Sequence, residues 1–489
     1  MAPSPEETQM NVLFIAAEAA PLMKVGGLAD VAGALPNQLV RDGVDAALVM
    51  PLYKKNRHLI TASLPVTATF LALGERQEEC RIYMLPDAEG TKRYLLDIPA
   101  AFERDAVYGE FDDDARFILF ARGVMHLIQH LREVNAWNVD VVHANDWHTA
   151  LVLAYMRTRY NYTFGHIATV FTIHNLAYQG EYGGWSRHLA GLDEWGGVEH
   201  NAGLPGDTFN FMARGLLAAD MINTVSPTYA NEIMSPAYGE RLDGVIRSLR
   251  DRHSGILNGI DTVMFNPATD PNLVATYTAA DVSGKGRCKA DIQQFFSLPV
   301  AADIPMVAIV SRLASQKGID LLDAALPAIF ATTTMQLVVL GSGEPHWEER
   351  MRELAARFPA RMAVHIGFDA ALANRIYAAC DFFLMPSRFE PGGLGQLIAM
   401  RYGALPIVRA VGGLNDTVRE GAHGNGFRFT DYTPEALSDA VRRALTCYGN
   451  QPGFADIQTR NMREDFSWQR SSKAYIALYK HAIARHKGV

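Results

Sequence analysis

Val12-Leu13-Phe14-Ile15-Ala16-Ala17 is followed, six residues later, by Lys24-Val25-Gly26-Gly27-Leu28-Ala29-Asp30. The solid apolar run reads as a parallel strand buried on both faces. Beyond the glycines, apolar residues at 28, 31, 32, 35 and 39 mark one face of a helix that runs to Arg41. Strand, glycine loop and helix together aim bare backbone N–H groups and a positive helix end at an anion. Lys24 adds a full charge, so Lys24, Gly26 and Gly27 read as candidate phosphate contacts. The plainer reading is a glycine turn with no ligand. The segment carries neither G-x-G-x-x-G nor G-x-x-x-x-G-K-[ST].

On either side of this segment, strand-like and helix-like runs alternate along the chain. Strands are predicted at 11–17, 45–50, 139–143, 167–173, 220–225 and 254–257, then at 306–311, 336–340, 363–366, 381–385 and 405–408. Helical patterns lie between, at 115–133, 320–331, 370–379, 433–447 and 468–486. Several strands are unbroken apolar runs, which implies parallel sheets covered by helices. Segments 74–92 and 180–208 read as loop excursions, and the join between two domains falls within 256–285. The glycine motif has an echo, Val411-Gly412-Gly413-Leu414-Asn415-Asp416, also after a strand, so a ligand-facing glycine loop is expected on each domain.

A chain of 489 residues is too long for one core. A net charge of −8 leaves no basic stripe to offset nucleic-acid phosphates, so no nucleic-acid partner is expected. Cys80, Cys288, Cys380 and Cys447 are scattered and form no C-x-x-C, which suggests reduced thiols in a cytoplasmic protein. Met1 to Gln9 is polar and acidic, unlike a signal peptide. The most apolar window, 319–341, carries Asp320, Asp323 and Pro327, so no membrane span is expected.

The chemistry-bearing residues cluster at predicted strand ends. Arg312 and Lys317, in Ser311-Arg312-Leu313-Ala314-Ser315-Gln316-Lys317-Gly318, suit a diphosphate, one as a fork and one as a point charge. Glu390 follows the strand at 381–385 and precedes Pro391-Gly392-Gly393-Leu394, where backbone N–H groups of Gly392, Gly393 and Leu394 would face a ligand. A carboxylate there suits sugar hydroxyls or a cationic sugar. His143-Ala144-Asn145-Asp146-Trp147-His148 and Thr172-Ile173-His174-Asn175 offer polar partners for sugar hydroxyls, with Trp147 as a stacking surface. A metal held by His143, Asp146 and His148 is disfavoured, since no H-E-x-x-H or second cluster supports it. Asp112-Asp113-Asp114 resembles an acidic metal motif of some sugar-nucleotide enzymes, but capping of the following helix explains it.

Taken together, these motifs resemble one family, the bacterial ADP-glucose-dependent glycogen synthases with the plant starch synthases. The resemblance runs from Val12 to about Tyr479 and includes Thr224-Val225-Ser226-Pro227 and Gly255-Ile256-Leu257-Asn258-Gly259-Ile260-Asp261 besides the motifs above. It implies an α/β, GT-B fold: two Rossmann-like, doubly wound parallel-sheet domains facing across a deep cleft. It divides the chain into an acceptor-side domain, 1–255, joined by a C-terminal helix at 470–489, and a nucleotide-sugar-binding domain, 256–469. It also implies a retaining, metal-independent transfer of glucose from ADP-glucose to the non-reducing end of an α-1,4-glucan, glycogen or a malto-oligosaccharide, with no cofactor.

Carried over residue by residue, Lys24 resembles the lysine on the donor phosphates, and Arg312 and Lys317 the diphosphate pair. Glu390 resembles the essential glutamate near the donor glucose, and His174 the histidine near its 6-hydroxyl. Asp30, Asp146, Asn175 and Asn258 match polar positions of the donor or acceptor site. The chain departs from the frequent F-E-P-C-G-L-T-Q by carrying Gly392 and Gly395, and from a base-side tyrosine by carrying Phe368. Phe368 would keep stacking on the base and lose the hydroxyl, so a UDP-glucose-using sister transferase with another acceptor stays open. A glycoside hydrolase is the weaker rival, because it needs two carboxylates and gives the three cations no task.

Overall fold

A computed structural model describes residues 9–86, 90–195, 204 and 207–488. The start of the chain through Thr8, and the parts of the excursions at 87–89, 196–203, 205 and 206, lie outside the described residues. The chain divides into two compact units, Met1–Leu257 with Trp468–Val489, and Asn258–Ser467.

The first unit holds β1 (Asn11–Ile15), β2 (Asp45–Pro51), β3 (Thr67–Leu73), β4 (Arg76–Leu85), β5 (Lys92–Asp97), β6 (Val141–Asn145), β7 (Ala168–Ile173), a short ribbon of β8 (Glu181–Tyr182) and β9 (Phe209–Asn210), β10 (Met221–Thr224) and β11 (His253–Gly255). The nine-stranded sheet runs β11-β10-β7-β6-β1-β2-β5-β4-β3. In β1, Val12 to Ile15 are fully buried, with parallel neighbours on both sides. Each such side chain contributes roughly 1.5–3 kcal/mol by leaving water. From β1 the chain first builds β2 on one side and later returns with β6 on the other. That reversal puts a topological switch point at the carboxyl ends of β1 and β6, the crevice where open α/β sheets bind ligands.

The sheet is not wholly parallel. Segment 74–92, read from sequence as a loop, contains β4, which pairs antiparallel with β3 and β5. This hairpin is an edge feature, with Phe70 of β3 left 67% exposed. β4 carries Arg76, Glu78, Glu79 and Arg81 and is largely uncovered in its first half, so no apolar run announces it. Segment 180–208 likewise holds structure: β8 and the helix Gly184–Ala190.

The helix Gly27–Arg41 buries Leu28, Val31, Ala32, Leu35 and Leu39 against this sheet, the face the sequence marks. The terminal helix Trp468–Lys487 packs on the same unit through fully buried Tyr475 and Tyr479. Its Ser471 hydroxyl donates to the Leu257 carbonyl at 2.7 Å. His143 is caught in that packing at 1% exposure, bonded to Tyr479 Oη at 2.8 Å and to Thr172 Oγ1 at 2.6 Å. The expectation that His143 meets sugar hydroxyls therefore fails: it is a core histidine. Trp147 fails as a stacking surface for the same reason, enclosed by Phe117, His148, Tyr182 and Phe211.

The second unit holds β12 (Met306–Val310), β13 (Gln336–Gly341), β14 (Met362–Ile366), β15 (Phe382–Met385), β16 (Leu405–Arg409) and β17 (Phe427–Phe429). All pairs are parallel and the order is β14-β13-β12-β15-β16-β17. Here the reversal lies between β12 and β15. Among the described residues no helix is long and apolar enough to cross a membrane, and all four cysteines are unpaired.

Candidate functional site

The second unit brings its two candidate motifs together at its switch point. The chain leaving β12 carries Lys317, and the chain leaving β15 carries Glu390. Lys317 Nζ lies 2.9 Å from Glu390 Oε1 and 2.7 Å from Oε2. The Ser387 hydroxyl donates to Glu390 Oε2 at 2.9 Å. Both side chains are largely covered, with 18% of Lys317 and 7% of Glu390 exposed. The two loops are held in contact by backbone. Gly318 has φ +75, and a Cβ there would lie 2.0 Å from the Pro386 carbonyl oxygen, so only glycine allows the approach. The Arg388 N–H donates to the Gln316 carbonyl at 2.9 Å.

The echo motif packs directly against Glu390. A Cβ on Gly412 would lie 2.0 Å from the Glu390 carbonyl oxygen, and the Gly413 N–H donates to that oxygen at 3.1 Å. This second glycine pair clamps the main chain of Glu390. Arg312 is exposed and its guanidinium rests on Gln316 Oε1 at 2.9 Å. Gly392, Gly393 and Leu394 lead into the helix Gly395–Arg401. Phe368 stands 80% exposed just after β14. Asn258 opens the unit, and its Oδ1 is buried without a hydrogen-bond partner.

The first unit gathers Lys24, Asp30, Asp146 and His174 around the ends of β1, β6 and β7. Lys24 Nζ meets Asp30 Oδ1 at 2.6 Å. Lys24 also lines a cavity of about 710 Å³ with Lys54, Lys55, Asp105 and Tyr108. Asp146 adopts φ +57 ahead of the helix Trp147–Arg157. Its Oδ1 accepts from His174 N–H at 2.7 Å and Asn175 N–H at 3.4 Å, tying the end of β7 to that of β6. Burial pushes the Asp146 carboxyl up to about 7 against those two amides. His174 Nε2 lies 2.9 Å from Asn145 Oδ1. The Asn145 amide nitrogen donates to the Ile15 and His143 carbonyls, so its Oδ1 accepts and His174 carries its proton on Nε2. Burial holds the imidazole down to about 3, so His174 is neutral and offers Nδ1 as an acceptor.

Asp112, Asp113 and Asp114 do not form a metal cradle, and their carboxylates do not cap the helix Asp113–Val134 in the way the sequence suggests. Asp112 pairs with Arg104 at 2.5 Å, Asp113 with buried Arg116, and Asp114 accepts from the Ser186 hydroxyl. Among the described residues no group of three His, Cys, Asp or Glu side chains is placed to hold a metal ion.

His148 sits against Trp147, Phe117 and Tyr108, with neither ring nitrogen hydrogen-bonded. Burial drives it down to about 3. Its folded value lies below the unfolded one near 6.5, so the unfolded state binds the extra proton first. The stability involved is intact above pH 6.5 and is lost as pH falls toward 3. His148→Phe keeps the ring packing and removes the titration. Its melting temperature should fall less than the wild type's between pH 7 and pH 4, and equal falls would contradict the assignment.

Sequence reasoning missed Glu18. It is 2% exposed on the chain leaving β1, and its Oε2 accepts from Val25 N–H and, at 3.2 Å, from Gly26 N–H. The available signal was a lone carboxylate amid Ala16-Ala17-Glu18-Ala19-Ala20 directly after a buried strand.

Comparison with known proteins adds to this geometry. Residues 11–248 match the family described as starch synthase catalytic domain, and residues 291–465 that of glycosyl transferases group 1. The chain is 41% identical to a glycogen synthase of Bacillus cereus (strain Q1), covering 96% of this chain and 99% of that protein. It is also 41% identical to a glycogen synthase of Moorella thermoacetica, covering 98% of each. The catalytic domain of starch synthase IV from Arabidopsis thaliana, solved with ADP and acarbose, superposes with a TM-score of 0.87 at 31% identity, covering 98% of this chain and 100% of that one. A sucrose-phosphate synthase from Thermosynechococcus elongatus, at 18% identity and a TM-score of 0.60, shares the fold.

Proposed function

This chain belongs to the glycogen synthase family and has its GT-B fold, and from that premise we propose that it transfers glucose from ADP-glucose to the non-reducing end of an α-1,4-glucan with retention of configuration. The observation that carries this reading is the Lys317–Glu390–Ser387 constellation at the switch point of the second unit.

Lys317 and Arg312 neutralise the donor diphosphate, whose charge grows as ADP leaves. Donors aimed at growing charge are worth roughly 3–4 kcal/mol each in the transition state. Glu390 holds the Lys317 ammonium in place before the donor arrives and presents a carboxylate to the glucose as positive charge develops on it. Its backbone clamp at Gly412 and Gly413 fixes the position of that carboxylate. Gly392, Gly393 and Leu394 lie beside the phosphates, and the exposed ring of Phe368 stacks on the base. In the first unit, the acceptor-side one, Lys24 with Gly26 and Gly27 meets the donor phosphates, and neutral His174 accepts from the sugar's 6-hydroxyl. Asp30, Asp146, Asn175 and Asn258 orient these groups or meet substrate hydroxyls. The chemistry asks for no metal and no cofactor, since two cations already serve the leaving group. Unpaired thiols fit a cytoplasmic setting.

The test is transfer of labelled glucose from ADP-glucose to glycogen in excess EDTA. The label should enter glycogen and be released as maltose by β-amylase, which cuts α-1,4 links from non-reducing ends. Transfer that stops in EDTA and returns with manganese would contradict metal independence. Glucose released from glycogen without nucleotide would favour a hydrolase.

A further inference from the structure

We infer that Glu18 is a positioning residue for Lys24: its buried carboxylate takes the N–H groups of Val25 and Gly26 and so fixes the glycine loop from which Lys24 reaches Asp30. The inference rests on the proposed role of Lys24 at the donor phosphates.

The loop needs such a restraint. Gly26 is the N-cap of the helix Gly27–Arg41 and makes no side-chain capping bond. A Cβ on Gly27 would meet nothing within 4 Å, and one on Gly26 would meet only Glu18 Oε1 at 3.6 Å, so no other side chain or backbone pins the pair by such contact. Two successive glycines otherwise leave this backbone very free. Val25 is 46% exposed and 40% of the Lys24 side chain is exposed. The Lys24–Asp30 ion pair is therefore partly open to water, and pairs of that kind hold little by themselves. Amide bonds to a charged carboxylate are the stronger kind. Glu18 supplies two of them from inside the sheet's carboxyl edge, where a buried charge is costly unless it is satisfied. Lys24 is thus held twice, through its neighbours' backbone by Glu18 and through its ammonium by Asp30.

The lock is sensitive to pH. Burial pushes the Glu18 carboxyl up to about 7. The groups acting on it are Lys24 and Asp30, from the loop and the helix. Glu18 in turn raises Asp146 after β6 and Tyr53 after β2. The ionised carboxylate accepts both amides at full strength, so the lock weakens as pH falls through about 7. Burial raises Asp146 to about 7 as well, and the pH profile of Glu18→Gln separates the two carboxyls.

The experiment is steady-state kinetics of the full chain as wild type, Glu18→Gln, Lys24→Ala and the double variant, from pH 6 to 8.5, with amide exchange at Val25 and Gly26. Glu18→Gln should raise the ADP-glucose KM about tenfold with kcat within about twofold. It should also abolish the wild-type rise in KM below pH 7. Added to Lys24→Ala it should change KM by less than about twofold, because both act through one group. Both amides should exchange faster in Glu18→Gln. Additive effects in the double variant, an unchanged KM, or unchanged exchange would overturn the inference. Exchange needs no donor, so it still decides the lock if ADP-glucose proves to be the wrong donor. If Glu18→Gln does not fold, wild-type protection of the two amides at pH 6 against pH 8 decides it, and equal protection overturns it.

Discussion

Glu390→Gln should lower kcat by roughly 100- to 1,000-fold, the loss expected when one charged stabiliser is removed from a transition state. The substitution preserves volume and leaves Ser387 a partner, so the fold should persist. Its effect on ADP should run the opposite way. In the free protein the Glu390 carboxylate engages the Lys317 ammonium at 2.7 and 2.9 Å. With that charge gone, the ammonium is released to the diphosphate, and the dissociation constant for ADP should stay the same or fall. Turnover measured with saturating ADP-glucose, beside calorimetry with ADP, separates the two effects. Near-normal kcat would remove Glu390 from the reaction.

Lys317→Ala should damage both stability and binding. It leaves the Glu390 carboxylate 7% exposed with Ser387 as its neutral partner. Removing one member of a buried ion pair costs about 3 kcal/mol or more, because the remaining charge stays uncompensated. A urea titration should report that loss. A charge-assisted bond to the diphosphate is worth roughly 1.5–3 kcal/mol, so ADP should bind about 10- to 100-fold more weakly. In the double variant Lys317→Ala/Glu390→Gln, stability should recover while turnover stays lost. Recovery of turnover would mean that the pair is structural.

Residues in solid apolar strands, and those directly after them, were legible in the sequence. Lys24, Arg312, Lys317 and Glu390 follow such strands, and a parallel sheet puts strand ends where ligands bind. What sequence could not give was the direction in which a polar side chain turns. His143 lies in β6, three residues before Asp146, yet it faces Tyr479 of a helix more than three hundred residues away, while Asp146 caps the end of β7. Spacing along the chain does not reveal that helix. The two glycine pairs read alike, but the first meets the Glu18 carboxylate and the second presses on the carbonyl of Glu390, 22 residues earlier in the chain than Gly412. β4 was hidden because its charged first half leaves no apolar pattern, although it pairs with β3 and β5 on either side.

The most direct test of the central claim is donor preference with glycogen as acceptor, measured as kcat/KM for ADP-glucose and for UDP-glucose on the unmodified chain. The ratio should be at least about tenfold in favour of ADP-glucose, equivalent to roughly 1.4 kcal/mol of differential transition-state binding. An equal or reversed ratio would contradict that claim.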